Sequence, residues 1–241
     1  MTVSGKHGAH SLAQAVANAY DLDPNRILVH RLGMDTSGLI LFAKSDAAVR
    51  GMHTGFRTRK IRRTYEALVC GHMEKEEGMI DLPLMMDYEH PPYVRISTDE
   101  HQENLLGLEA EQVGKKLLEN PKESITRYKV LAREELDGQP VTRVQLTSVS
   151  GRTHQLNCHL AAMGHPIVGD AVYGFGGEAA SNGGLRDDEQ AYLIPNGSRA
   201  PDDVQQALSK VEKVCCHARG LRFVHPAKRH KVVEVSSEPS F

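Results

Sequence analysis

Asp35 is the only acidic residue in the run VHRLGMDTSGLILFAK, residues 29–44. It stands between a His30-Arg31 pair and a Thr36-Ser37-Gly38 turn, at the edge of an apolar stretch. A carboxylate placed there can act as a nucleophile or hold positive charge beside an electrophilic carbon. It can equally be a turn residue, because aspartate bonds its own backbone two positions on. A second chemical cluster lies in SGRTHQLNCHLAAMGHPIVGDAVYG, residues 150–174. With a helix from Thr153, Arg152, Gln155 and His159 fall at i, i+3 and i+7 on one face, and Leu156, Leu160 and Met163 take the other. An arginine at a helix start suits a carboxylate or a phosphate. An amphipathic helix with a solvated polar face has the same spacing. The third cluster is FRTRKIRR, residues 56–63, where Arg57, Arg59, Lys60, Arg62 and Arg63 crowd together. Such a run contacts a nucleic-acid backbone or forms a solvated face.

Other chemistries are set aside by what is missing. The 13 histidines and the Cys158-His159 and Cys215-Cys216-His217 groups lack the paired spacing of a structural zinc site, and there is no HExxH. No GxSxG elbow, GxxxxGK[ST] loop or GxGxxG turn occurs; Gly174–Ala179 fits only the looser form ending in alanine and opens no helix. No metal and no cofactor is therefore expected. Four cysteines without CxxC pairs, two of them adjacent, argue against a disulfide framework and for a reducing compartment. The net charge of −2 gives no global nucleic-acid signature, so binding must come from a local patch.

These clusters need elements to position them. Ser11 and Gln14 have capping-box spacing before a helix to Tyr20, with Leu12, Val16 and Tyr20 recurring every four residues. Strands are predicted at 27–32 and 39–43, flanking the Thr-Ser-Gly turn. Ser45 or Asp46 caps a helix through Phe56, with Val49, Met52 and Phe56 on one side. Alternation predicts a strand at Tyr65–Val69, with others at 124–133, 140–148, 219–224 and 232–236. Two segments read as insertions, near 97–121 and 174–214. The first is acidic, and Leu105–Leu118 in it has helical character. In the second, residues 174–201 read as a mobile surface loop rich in glycine. Many strands with few, scattered helices make an α+β domain with a mostly antiparallel sheet. The chain of 241 residues is expected to be a single domain, 1–241, and a monomer. No apolar run approaches the roughly 20 residues of a membrane span, and the N-terminus lacks a signal-peptide core. A cytoplasmic or organellar location follows as an expectation.

Taken in order, the stretches resemble the RluA-type family of RNA pseudouridine synthases. HRLGMDTSGLILFAK looks like the catalytic motif HRLDxxTSG with its apolar strand. FRTRKIRRTYEALVCG looks like the second motif, with Tyr65 at the tyrosine position. SGRTHQLNCHLAAMGHPIVGDAVYG looks like the third, and CHARGLRFVHP like the closing strand. DLPLMMDYEHPPYVRIS, residues 81–97, resembles a segment of the subgroup acting on tRNA and ribosomal RNA. The resemblance implies a mostly antiparallel sheet flanked by helices around a central cleft. It implies cofactor-free isomerisation of uridine in RNA: the bond from the sugar to N1 breaks, the uracil turns, and C5 is joined instead. One aspartate is essential, an arginine, here Arg152, pairs with it, and Tyr65 lies against the uracil. The uridine is flipped from its stack into the pocket. His30, Arg31 and the basic run are the residues expected on the RNA.

The match departs at two places. The family's aspartate position is Gly33, and Asp35 falls on a variable position. In an extended segment the two are roughly 6–7 Å apart, although a turn shortens that gap. Either Asp35 is recruited, or the chain keeps the fold as an RNA-binding module without catalysis, or another residue such as Asp170 takes the role. Asp170, after GHPIVG, also reads as a turn holder. Family domains moreover open with a strand and a Lys-Pro-Gly segment, and this chain is expected to lack that N-terminal strand.

Overall fold

The computed structural model describes residues 11–33, 35–107, 120–193, 199–228 and 230–241. In chain order the elements are α1 (Leu12–Tyr20), β1 (Ser37–Gly38), α2 (Asp46–Arg57), β2 (Arg62–Cys70), β3 (Glu77–Asp81), β4 (Leu84–Met86), β5 (Val94–Ile96), α3 (Asp99–Leu106), β6 (Ile125–Leu136), β7 (Gln139–Ser148), α4 (Gln155–Ala162), α5 (Asp187–Leu193), α6 (Asp202–Leu208), β8 (Cys216–Val224) and β9 (Val232–Ser236). The chain divides into two compact units, one of residues 1–65 with 217–241 and one of residues 66–216.

In the first unit, Ser11 caps α1 by accepting the Gln14 N–H at 3.1 Å. The Gln14 side chain turns to Asn18 instead, so the reciprocal half of the capping box is not formed by it. Ala13 and Ala17 are the buried residues of α1, while Tyr20 is exposed beneath the Lys44 ammonium. The expected Leu12-Val16-Tyr20 stripe is thus rotated, because the alanines let the helix backbone come closest to its support. The strands predicted at 27–32 and 39–43 are reduced to one bridge, Leu28 to Phe42, and an Ala43 N–H bond to the Ile27 carbonyl at 2.8 Å. Between them the chain turns and spends its pairing elsewhere, in β1, which runs parallel to β8. Gly38 makes this possible: its φ is +106°, and a Cβ there would lie 2.5 Å from the Ala218 carbonyl oxygen. β9 completes this group antiparallel to β8.

Ser45 caps α2 as expected, accepting the Ala48 N–H. The helix ends in a Schellman motif: Arg59 N–H bonds the Phe56 carbonyl at 3.1 Å and Lys60 N–H bonds Gly55 at 2.9 Å. Arg59 takes the left-handed position, φ 56°, where glycine is the usual residue. One core cluster of the unit is Val29, Ala43, Met52, Ile61 and Leu221, with Val49 and Phe56 of α2 packed on it.

In the second unit, β7 and β6 form a long antiparallel hairpin joined at Asp137-Gly138, and β3 pairs antiparallel with β6. β4 and β5 form a separate antiparallel pair. Arg143 on β7 is clamped by Glu134 at 2.7 Å and by the buried Glu66 at 2.9 Å. The architecture is α+β and mostly antiparallel. Segment 174–201 departs from the expected loop. Ala179 and Leu185 are buried against Cys158, Ala161 and Ala162 of α4, and a 3-10 turn at Ser181–Gly184 and α5 follow each other there. The glycines serve close packing: a Cβ on Gly183 would sit 2.7 Å from the Cys158 carbonyl oxygen. In the first insertion α3 covers Asp99–Leu106. The rest of the helix expected over 105–118, from 108 onward, lies outside the described residues, as do residues 1–10 at the expected missing strand.

Candidate functional site

The motif residues of the first unit are arranged by a tight turn. Thr36 N–H bonds the Gly33 carbonyl at 3.1 Å, closing residues 33–36. Asp35 occupies the third position of this turn, exposed, and its carboxylate has no hydrogen bond or ion pair among the described residues. The turn brings Gly33 and Asp35 nearer than an extended chain would. Gly33 itself is not in a left-handed conformation, and a Cβ there would meet only Thr36, with Oγ1 at 2.9 Å. The next residue anchors the turn from behind: Ser37 Oγ lies 2.8 Å from Nδ1 of His217 on β8. His217 is buried and its Nε2 has no hydrogen-bond partner among the described residues.

His30 has a structural bond of its own. Its Nε2 accepts the Leu41 N–H at 2.9 Å, and its ring lies 5.1 Å from that of Phe56. Burial, helped by the positive charge of Arg63, pushes its pKa down to about 4, so the ring is neutral at pH 7. Arg31 beside it is exposed. In the basic run Arg57, Arg59, Lys60 and Arg62 are exposed; Arg63 is half-buried, with its guanidinium 5.7 Å from the Phe56 ring centre. Tyr65, half-buried, shares a face of β2 with Arg63, as the two-residue period of a strand requires.

The second unit corrects the expected polar face at 152–159. The helix begins at Gln155, so Arg152 precedes it, and Gln155 and His159 are buried. The Gln155 side chain makes four hydrogen bonds: its Oε1 accepts from Ser150 Oγ (2.9 Å) and the Arg152 N–H (3.1 Å), and its Nε2 donates to the Ile125 carbonyl (2.9 Å) and to Thr126 Oγ1 (3.0 Å). His159 spans Thr126 Oγ1 and the Leu82 carbonyl, and burial lowers its pKa to about 4. These two residues lock the 150–155 bend onto β6. Arg152 is the exposed tip of that bend, its Nε donating to the Glu123 carbonyl at 3.3 Å. Asp170 is buried and accepts from Val172 N–H, Tyr173 N–H and Asn157 Nδ2, between 2.8 and 3.0 Å. A carboxylate so engaged holds a turn.

Two features escaped the sequence. Ser37 and His217 are partners although 180 residues apart, and the sequence marked His217 only by its neighbouring cysteines and its place in the closing strand. Asp87, Glu89 and His90 bring three ligand-type atoms within 4.8 Å of one another. Asp87 spends its oxygens on the Glu89 and His90 N–H groups and on the His90 ring, so the group is a turn closed by aspartate. All four cysteines are buried and none is in a disulfide. No helix among the described residues is long and apolar enough to cross a membrane.

The family model described as RNA pseudouridylate synthase matches residues 1–162. The chain is similar to the dual-specificity RNA pseudouridine synthase RluA of Pasteurella multocida (strain Pm70), 35% identical over 212 residues, covering 88% of this chain and 73% of the relative. The RluA of Salmonella typhi is 34% identical over 94% of this chain and 80% of its own length. That of Yersinia pestis is 39% identical over 62% of each. Among solved structures, human RNA pseudouridylate synthase domain containing 1 superposes with a TM-score of 0.64 at 24% identity, covering 96% of this chain and 75% of that one. Human RNA pseudouridylate synthase domain containing 4 also gives 0.64, at 20% identity, over 99% of this chain and 82% of its own. These two likenesses are of fold.

Proposed function

The chain belongs to the RluA-type RNA pseudouridine synthase family, and on that premise we propose that it isomerises uridine to pseudouridine in structured RNA, either tRNA or ribosomal RNA, with Asp35 as the working carboxylate. The observation that carries the choice of Asp35 is its state in the turn. It is exposed and uncommitted among the described residues, whereas Asp170 is buried with three donors on it. In this reading the carboxylate attacks or shields the sugar carbon as its bond to N1 breaks. The freed uracil turns, C5 bonds to the sugar carbon, and the proton leaving C5 is balanced by one gained at N1. Tyr65 stacks on the base and is a candidate to take the C5 proton, Arg152 supplies positive charge, and Arg31, Arg57, Arg59, Lys60, Arg62 and Arg63 hold the RNA backbone. His30 supports them by keeping the turn in place. The chain acts as a monomer, without metal or cofactor.

A second reading is favoured by one residue. Gly33 stands where the family carries its aspartate, and a chain that has lost the carboxylate keeps an RNA-binding surface without chemistry. The two separate on one experiment. An unmodified tRNA transcript carrying tritium at uridine C5 releases the label only if C5 is joined to the sugar. Release by the wild type and its loss in Asp35→Asn support the isomerase. Tight binding with no release assigns the module instead.

A further inference from the structure

Helix α2 carries a basic face that continues the run at its end. Arg50, His53 and Arg57 are spaced i, i+3 and i+7, so they form one stripe, and all three are exposed. The neighbouring stripe, Val49, Met52 and Phe56, is packed into the core. The helix is seated firmly: a Cβ on Gly51 would lie 2.8 Å from Pro226 and one on Gly55 would lie 3.0 Å from Ile61. After the Schellman turn the stripe passes to the exposed Lys60 and Arg62.

What distinguishes this face is the lack of counter-charge. No Asp or Glu occurs between Asp46 and Glu66. Asp46, at the head of the same stripe, is taken by Arg26. On β8 of the same unit, by contrast, the half-buried Arg219 is paired with Glu238 and the exposed Arg222 with Glu234. Arg50, Arg57, Lys60 and Arg62 have no carboxylate partner among the described residues. Exposed arginines kept clear of acids along a rigid helix leave their planar forks open to phosphate, which they bind in a bidentate manner. From Arg50 to Arg57 the helix rises about 10 Å, enough to follow about three successive phosphates of one strand.

We propose that the Arg50-His53-Arg57 face of α2 is a track for the sugar-phosphate backbone of the RNA, extending the contact beyond residues 57–63. The inference rests on the RNA-modifying function proposed above. Charge complementarity selects the occupant: a polyanion whose charges repeat along a line.

The test measures binding of the full chain to an unmodified tRNA transcript as salt is raised. Arg50→Gln should lower the slope of log affinity against log salt by about 0.9 if the track meets duplex, or about 0.7 if it meets a single strand. The double variant Arg50→Gln/Arg57→Gln should lower it by about twice that amount. Arg50→Lys should keep the slope, and Arg222→Gln, an exposed but paired arginine, should leave it unchanged. If Arg50→Gln keeps the wild-type slope while Arg59→Gln/Lys60→Gln lowers it, the track is overturned and the RNA function stands. A wild type that binds no RNA overturns both. Preference for vesicles containing anionic phospholipid over tRNA overturns RNA as the occupant.

Discussion

Replacing Gly33 by aspartate sets the two carboxylate positions against each other. The backbone accepts the change: residue 33 is not left-handed, and the new Cβ meets only Thr36 Oγ1, at 2.9 Å. Relieving that contact takes a Thr36 rotation costing on the order of 1 kcal/mol, offset by about 0.4–1 kcal/mol from the lost freedom of glycine in the unfolded chain. Folding stability should therefore stay within about 1 kcal/mol of wild type. The electrostatic effect is larger. Two carboxylates about 6 Å apart across the turn repel by roughly 0.7–2.8 kcal/mol, taking an effective dielectric between 80 and 20. One then resists ionising, and the acid limb of the rate profile should move up by about 0.5–2 pH units. Tritium release from tRNA, followed between pH 5 and 8, should show Gly33→Asp less active than wild type and most impaired at the acid end. A gain of about 100-fold or more, the scale a positioned proton-transfer group supplies, would refute the recruitment of Asp35. It would show instead that the glycine had vacated a site otherwise assembled, and Asp35→Ala in that background would then change little.

Arg59→Gly should raise stability by about 1 kcal/mol, because it relieves a left-handed conformation at the end of α2, while weakening RNA binding; a calorimetric melt and a binding isotherm read the opposite signs. Gly38→Ala should destabilise by roughly 2 kcal/mol or more, since φ is +106° and the methyl would press on the Ala218 carbonyl at 2.5 Å, and a denaturant midpoint measures it. Acid should destabilise the fold through His30 and His159, whose pKa values are lowered to about 4. The unfolded chain takes up these protons first, so their contribution is present above about pH 6.5 and is lost as pH falls towards 4. At pH 5 the loss should approach about 2 kcal/mol for each histidine, and His159→Gln should flatten the dependence of the melting temperature on pH.

Much of this protein is written locally in its chain. The serine caps at Ser11 and Ser45, the alternation of β6 and β7 and the strand around Tyr65 depend on neighbours a few residues away, so the sequence alone places them. The ordered motifs identify the family for the same reason, because each is short and contiguous. Tertiary structure decided what depends on partners far along the chain. Gln155 and His159 have the spacing of a solvated face, yet they are buried, because Thr126, Ile125 and Leu82 supply acceptors that no periodicity reveals. The glycine-rich stretch at 174–201 reads as a loop, but Gly183 within it lets the chain close onto α4. The strands expected beside the Thr-Ser-Gly turn gave way to a two-residue strand, since Gly38 and Ser37 find their partners at Ala218 and His217. Asp35 itself is legible as a carboxylate in a turn. That it stands exposed and uncommitted while Asp170 is buried and bonded was decided only when the chain folded, because burial and hydrogen bonding belong to the surroundings of a residue and not to its type.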